Sequence, residues 1–175
     1  MTNSQVSGSR LFAALVAGAI AILLNTLALK VADFIPLATA RGGLLRLMTL
    51  WLAGLLHAMG FASLWAKLGA PPPASPAFQT GFHLLVGIVM ALLYGFVLER
   101  ILSGPAWLKG LQYAALMWLI NAVIILPATG EGFAGSAHLG VAGMVWFAAA
   151  HTLFFVAVAL LFDRLRRHDK PQGGG

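Results

Sequence analysis

Cysteine is absent from the sequence. Without thiols the chain cannot form disulfides, hold an iron–sulfur cluster, build a thiolate metal site or use a cysteine nucleophile. Acidic residues are also scarce, because only 5 of the 175 residues are Asp or Glu. None of them interrupts the long apolar runs of the chain. This argues against an ion-coupled pump, which usually needs a carboxylate within the membrane.

The common catalytic and nucleotide-binding motifs are missing as well. The sequence has no Gly-x-Ser-x-Gly, no P-loop, no dinucleotide fingerprint and no His-Glu-x-x-His. It also lacks the pair of broken helices in repeated positions that transporters often show. No enzyme class is therefore assigned from sequence.

The composition is that of a membrane protein. Hydrophobic residues make up 60% of the chain and charged residues 9%, whereas a soluble domain carries about 25% charged residues. The net charge is +6 and the pI about 10.6. Because the basic residues lie at the ends of apolar runs, they indicate a membrane surface and not a nucleic-acid partner.

Five apolar runs are long enough, or nearly so, to cross a bilayer as helices, which takes about 20 residues. The sequence therefore predicts an all-α fold, a polytopic transmembrane helical bundle. It forms a single integral membrane domain over residues 1–175, and the tail at 168–175 is expected to be disordered. The predicted helices cover residues 11–29, 47–66, 81–98, 110–126 and 139–162.

The distribution of Lys and Arg predicts an orientation. With five crossings, nine of the eleven basic residues fall on one side, and only Arg10 and Lys67 fall on the other. The positive-inside rule places the nine in the cytoplasm. We therefore expect a bacterial inner-membrane protein with its N-terminus outside and its C-terminus in the cytoplasm.

Four crossings are the main alternative. Residues 47–66 would then form an interfacial or re-entrant segment, and the basic residues would divide seven to four. The weaker asymmetry favours five crossings. Large apolar residues on every side of this segment also distinguish it from an amphipathic interfacial helix.

Small residues recur every four positions in several predicted helices, which places each row on one helix face. Gly87, Ala91 and Gly95 form such a row in the third helix, and Gly54 and Ala58 lie in the second. Small residues let membrane helices approach closely, and this drives their association. We expect these rows to face other helices. We expect the same of Ala14, Gly18 and Ala21 in the first predicted helix.

Two histidines, His57 and His151, lie at similar depth inside the second and fifth predicted helices. Such a pair could bind haem b or a metal ion, or relay protons. Hydrogen bonding across helices is favoured instead, because no buried acid is available to orient the imidazoles. The amides within predicted helices are Asn25 and Asn121.

A second polar group is expected near the outer face. His83 and His138 lie there, and Glu131 lies in the glycine-rich loop between them. If the loop folds over the bundle, these side chains offer ligands that suit zinc or copper. Their spacing matches no recognised metal signature, so a solvated loop is the favoured interpretation.

Residues 81–162 carry a pattern of Gly, His and Tyr residues. Gly81-Phe82-His83 is followed by Gly87 and Tyr94, then by Pro127, Gly130, Gly132 and Phe133, and finally by His151. This pattern resembles small bacterial inner-membrane proteins of the YagU-like kind, whose function is unknown. The resemblance implies a compact helical bundle with short loops and brings no catalytic residue.

These observations predict a small multi-pass accessory or structural subunit that acts through helix packing. Its expected partners are the lipid bilayer and either a second copy or a larger membrane complex, with no nucleic acid. One alternative is a haem- or metal-binding membrane protein. The other is a permeation path for small solutes or ions, lined by Asn25, His57, Asn121 and His151.

Overall fold

The structure is a computed structural model that describes residues 3–35, 43–69, 71–72 and 75–168. All regular secondary structure in those residues is helical. Of the tail predicted at 168–175, only His168 is described, and it ends the last helix. Residues 169–175 and 36–42 lie outside the described residues.

Within the described residues, six helices follow one another. Helices α4 and α5 each contain a π-helical turn and continue beyond it, and a 3-10 turn at Phe133–Gly135 precedes α6. The helices are α1 (Asn3–Phe34), α2 (Gly43–Ala58), α3 (Phe61–Lys67), α4 (Pro76–Leu93, then Tyr94–Leu98 and Glu99–Ile101), α5 (Ala106–Ile120, then Asn121–Ile125 and Leu126–Ala128) and α6 (Val141–His168).

Four of these helices, α1, α4, α5 and α6, are long and apolar enough to cross a membrane. The prediction of an all-α transmembrane bundle is confirmed. The helices extend beyond the predicted apolar runs. At the start of α4, for example, the Ser75 hydroxyl accepts the Phe78 N–H at 3.3 Å, and Pro76 occupies the first turn.

The helix predicted at 47–66 is interrupted. It consists of α2 and α3, separated by a turn at Met59 and Gly60. Gly60 has φ +70°, a left-handed conformation that glycine adopts without steric cost. The Gly60 N–H donates to His57 O at 3.0 Å and closes the turn. We call residues 43–67 the arm.

Helices α1 and α4 pack antiparallel along their rows of small residues. A Cβ atom built on Gly18 would lie 2.6 Å from Ala91 Cβ, and one on Gly87 would lie 2.5 Å from Ile22 Cγ1. Contacts this close are open only to glycine, so the helix axes approach through the missing side chains.

Polar side chains tie α1 to α6, which also run antiparallel. Asn25 Nδ2 donates to Ala150 O at 2.8 Å, and Trp146 Nε1 donates to Ala28 O at 3.1 Å. Each bond satisfies a side chain that lipid would leave without a partner.

Aromatic rings fill the space between α4, α5 and α6. Tyr113 and Phe155 have ring centroids 4.3 Å apart, and Tyr94 packs edge-on against Phe162 at 5.8 Å. The Tyr113 hydroxyl donates to Met90 O at 3.1 Å, so its polar end also has a partner. All four rings are almost completely buried.

The two ends of the bundle are marked by ion pairs. The starts of α1 and α5 meet the ends of α4 and α6 at what we call the Arg10 end, where Arg10 contacts both Glu99 and the Phe162 ring. The opposite end is the Glu131 end.

Both ends of the arm lie at the Glu131 end. Arg46, near the start of α2, contacts Glu131. Trp65, near the end of α3, packs against Phe78 in the first turn of α4, with ring centroids 5.5 Å apart. The arm therefore leaves and rejoins the bundle at the same end.

Candidate functional site

A buried ionic group at one end of the bundle is the Arg10 cluster, formed by Arg10, Glu99 and Lys109. Arg10 Nη2 lies 2.6 Å from Glu99 Oε2, and Lys109 Nζ lies 3.4 Å from Glu99 Oε1. The Arg10 side chain is only 9% exposed, although it carries a full charge. One carboxylate thus holds two cations from different helices.

Backbone carbonyls complete this cluster. Arg10 Nη2 donates to Gly95 O at 2.6 Å and Nε donates to the same oxygen at 3.2 Å. Lys109 Nζ donates to Glu99 O at 2.6 Å. Because a buried charge is costly unless it is paired and hydrogen-bonded, these carbonyls are part of what makes Arg10 tolerable there.

The local sequence explains how Arg10 reaches Gly95. A Cβ atom on Gly95 would lie 2.8 Å from the Phe162 ring and 3.0 Å from Ala14 Cβ, so only glycine lets α1 approach this closely. Gly95 also lies within the π turn Tyr94–Leu98, in which the Glu99 N–H donates to Tyr94 O. Such single wide turns often occur at functional sites.

A cavity of about 230 Å³ opens beside the Arg10 cluster. Its wall combines the ends of α4 and α6 with the start of α5 and the turn before it. The guanidinium carbon of Arg166 lies 6.0 Å from the centre of the Phe162 ring, a cation–π distance. The lining includes Tyr94, Glu99, Lys109, Phe162, Asp163, Arg166 and Arg167.

A second ionic group lies at the Glu131 end. Glu131 is buried; its Oε1 lies 2.6 Å from Arg46 Nη1, and its Oε2 lies 2.8 Å from His138 Nδ1. The loop folds back through its backbone, since the Glu131 N–H donates to Leu126 O at 2.9 Å. Glu131 therefore contacts His138 and Arg46, and no hydrogen bond or ion pair joins His83 to this group within the described residues.

The remaining predicted histidines lie apart. His57 is exposed at the end of α2, and no hydrogen bond or ring contact joins it to His151 within the described residues. His151 Nδ1 lies 2.8 Å from Phe147 O. The buried Nε2 of His83 has no hydrogen-bond partner in the described part of the chain.

The described side chains do not assemble a site with three protein ligands for a metal ion. Across residues 3–35, 43–69, 71–72 and 75–168, no group of three or more His, Asp or Glu side chains could hold a metal ion. That search does not bear on a pair of axial histidines, so the haem arrangement of His57 and His151 stays a prediction.

The predicted amides act within the helices. Asn25 bonds across to α6, as described above, whereas Asn121 Nδ2 donates to Met117 O at 3.0 Å in its own helix. Asn121 begins the second π turn, just before Pro127. Proline removes one backbone N–H and clashes with the preceding turn, which accounts for the irregular ladder there.

The predicted packing residues divide between the bundle and the arm. Gly87, Ala91 and Gly95 are buried where α4 meets α1. Ala58 is exposed on the arm. Gly54 lies on α2, and its surroundings fall outside the described side chains.

Sequence reasoning missed the cluster at the Arg10 end. In the sequence, Arg10 and Lys109 contribute only to the distribution of charge, and Tyr94 belongs only to the pattern that resembles YagU-like proteins. A basic residue opening one apolar run and an acid closing another are the available signal. These residues predict an ion pair only if the first and third apolar runs are known to pack antiparallel, with Arg10 beside Glu99.

Comparison with protein-family models, with curated proteins and with solved structures finds no match for this chain.

Proposed function

We propose that this chain is a non-enzymatic accessory membrane protein that acts through helix packing, with a second copy or within a larger membrane complex. The supporting observation is how the spans use their polar groups. Asn25, Tyr113 and Trp146 each donate to a backbone carbonyl of a neighbouring helix. These groups hold helices together, which is the role that polar side chains commonly serve in membrane bundles.

The arm extends the surface available for packing. Its turn and second helix expose Met59, Phe61 and Leu64, the first and last of them by 72% and 50%. It carries no acidic residue. An apolar segment of this kind is suited to the bilayer and to other membrane helices, so it is the surface through which we expect association.

The proposed topology has four crossings, with both termini in the cytoplasm of a bacterium and the arm at the outer face of its inner membrane. It is supported by the contact of Arg10 with Glu99 and Phe162, which joins the start of α1 to the ends of α4 and α6. Seven of the eleven basic residues then lie on the cytoplasmic side. We also propose, from the pattern in residues 81–162, that the chain is similar to the YagU-like inner-membrane proteins.

The packing role is tested by measuring the mass of the protein in mild detergent. A monomer weighs 18.4 kDa. We expect a particle whose protein mass, after subtraction of bound detergent, is a multiple of this value or includes a stoichiometric second protein. A strict monomer that co-purifies with nothing would contradict the role.

The topology is tested with single cysteines, for which the cysteine-free chain is well suited. Ser7→Cys distinguishes the two topologies, because residue 7 is cytoplasmic with four crossings and external with five. Ser103→Cys and Ser136→Cys are matched controls in opposite loops, internal and external in either case. Labelling of Ser7→Cys in intact cells by a membrane-impermeant maleimide would refute four crossings.

A further inference from the structure

The cavity at the Arg10 end has no role in the proposed packing function. It measures about 230 Å³ and is partly open, whereas a single water needs roughly 10–15 Å³. It therefore admits a group of several non-hydrogen atoms. Its position at the ends of the spans brings it to the depth of the lipid headgroups.

Tyr94 gives the first indication of a ligand. It is only 1% exposed and lines the cavity. Its ring packs against Tyr113 and Phe162, which holds the side chain in place at the wall of the cavity. A tyrosine hydroxyl can both donate and accept a hydrogen bond. Tyr94 is therefore placed to offer a polar group to a ligand in this space.

The charges around the cavity give the second indication. Both carboxylates are already paired, Glu99 with Arg10 and Lys109, and Asp163 with Arg167 at 2.8 Å. Arg166 contacts the Phe162 ring and has no ion pair within the described residues. Three cations, Lys109, Arg166 and Arg167, and two anions, Glu99 and Asp163, line the space, so its net charge is positive.

The donors and the charge identify the chemistry of the ligand. Arg166 presents a planar set of N–H groups, Lys109 retains an N–H beyond its two bonds to Glu99, and Tyr94 adds a hydroxyl. Arginine and lysine together with a hydroxyl are typical of sites for phosphate oxygens. We propose that this cavity binds a phosphate group of net negative charge, carried by an anionic lipid headgroup or free in solution.

Native mass spectrometry of the full chain tests this proposal. The protein is exchanged from mild detergent into the presence of phosphatidylglycerol, phosphatidylcholine or inorganic phosphate, one at a time. Phosphatidylcholine has the same phosphodiester, but its choline cancels the charge. We expect one retained phosphatidylglycerol and at least tenfold weaker retention of phosphatidylcholine. Retention of inorganic phosphate in place of either lipid would identify a soluble source.

Three variants locate the site. Arg166→Gln removes the unpaired guanidinium, and about tenfold weaker binding is expected from the loss of a charge-assisted bond. Tyr94→Phe removes only the hydroxyl and should weaken binding a few-fold. Arg164→Gln is the matched control, because Arg164 is an exposed arginine on the same helix that does not line the cavity. It should bind as the parent protein does.

Two results would overturn the proposal. Equal weakening by Arg164→Gln and Arg166→Gln would show attraction by the basic surface and not a site. Absence of retained phosphatidylglycerol and of inorganic phosphate, in protein whose thermal midpoint is unchanged, would show that the cavity takes no phosphate.

Discussion

Gly110 is the position where the packing of α5 on α6 is most sensitive to one added methyl group. A Cβ atom there would lie 2.7 Å from Val156 Cα, 3.1 Å from Phe155 O and 3.2 Å from Ala159 Cβ. Two of these atoms belong to the backbone, which cannot rotate away. Since carbon atoms pack best at about 3.5–4.0 Å, Gly110→Ala must separate the helices by about 1 Å.

The expected effect is a net loss of stability. Overpacking of this kind costs about 1–3 kcal/mol, and replacing glycine by alanine in a helix returns up to about 1 kcal/mol. We therefore expect Gly110→Ala to be less stable by about 1–2 kcal/mol. The measurement is unfolding in mixed micelles of increasing SDS fraction, followed by the fluorescence of the five tryptophans.

The matched control is Gly81→Ala in α4, because a Cβ atom on Gly81 meets no other atom within 4 Å. It should be unchanged or more stable by up to about 1 kcal/mol. If Gly110→Ala proved as stable as Gly81→Ala, α5 and α6 could not be packed as described.

Three further substitutions test the polar contacts. Arg10→Met leaves Glu99 with one cation and should lower the free energy of unfolding by about 3 kcal/mol in the same assay. Adding Glu99→Gln should recover part of that loss, and a double variant as unstable as Arg10→Met would contradict the pairing. Asn25→Leu removes one interhelical bond and should cost about 0.6–1.7 kcal/mol, so an unchanged midpoint would argue against that bond. Arg46→Gln breaks a half-exposed ion pair with Glu131. Amide hydrogen exchange in α2 should become faster, while the thermal midpoint falls by no more than about 2–4 °C. Unchanged exchange rates would show that other contacts hold the arm.

The sequence predicts where the spans lie better than how they are connected. Hydropathy alone marks the four long helices, because lipid imposes the same apolar length on each. It does not reveal the break at Gly60, since one glycine in an apolar run also occurs in unbroken helices. That single turn decides whether the arm adds a crossing, and with it every later assignment of side.

The contacts of the candidate site could not be predicted either, because they also depend on how the helices are connected. Spacing by four residues places Gly87, Ala91 and Gly95 on one face, but the partner of that face depends on topology. Arg10 and Glu99 are 89 residues apart, and no local pattern links them. The pairing of Glu131 with Arg46 likewise depends on the arm returning to that end of the bundle.

The Arg10 cluster has a consequence for the order of events during synthesis. Arg10 emerges from the ribosome 89 residues before Glu99, which at about 5–20 residues per second is a delay of about 4–18 s. Asn25 waits longer, because its acceptor on α6 is 125 residues away. Until α4 is inserted, α1 presents a charge without its carboxylate, and until α6 is inserted it presents an amide without its acceptor. An incomplete chain therefore differs chemically from a finished one within the membrane, and a cellular surveillance protease that reads exposed polar groups in lipid could distinguish the two.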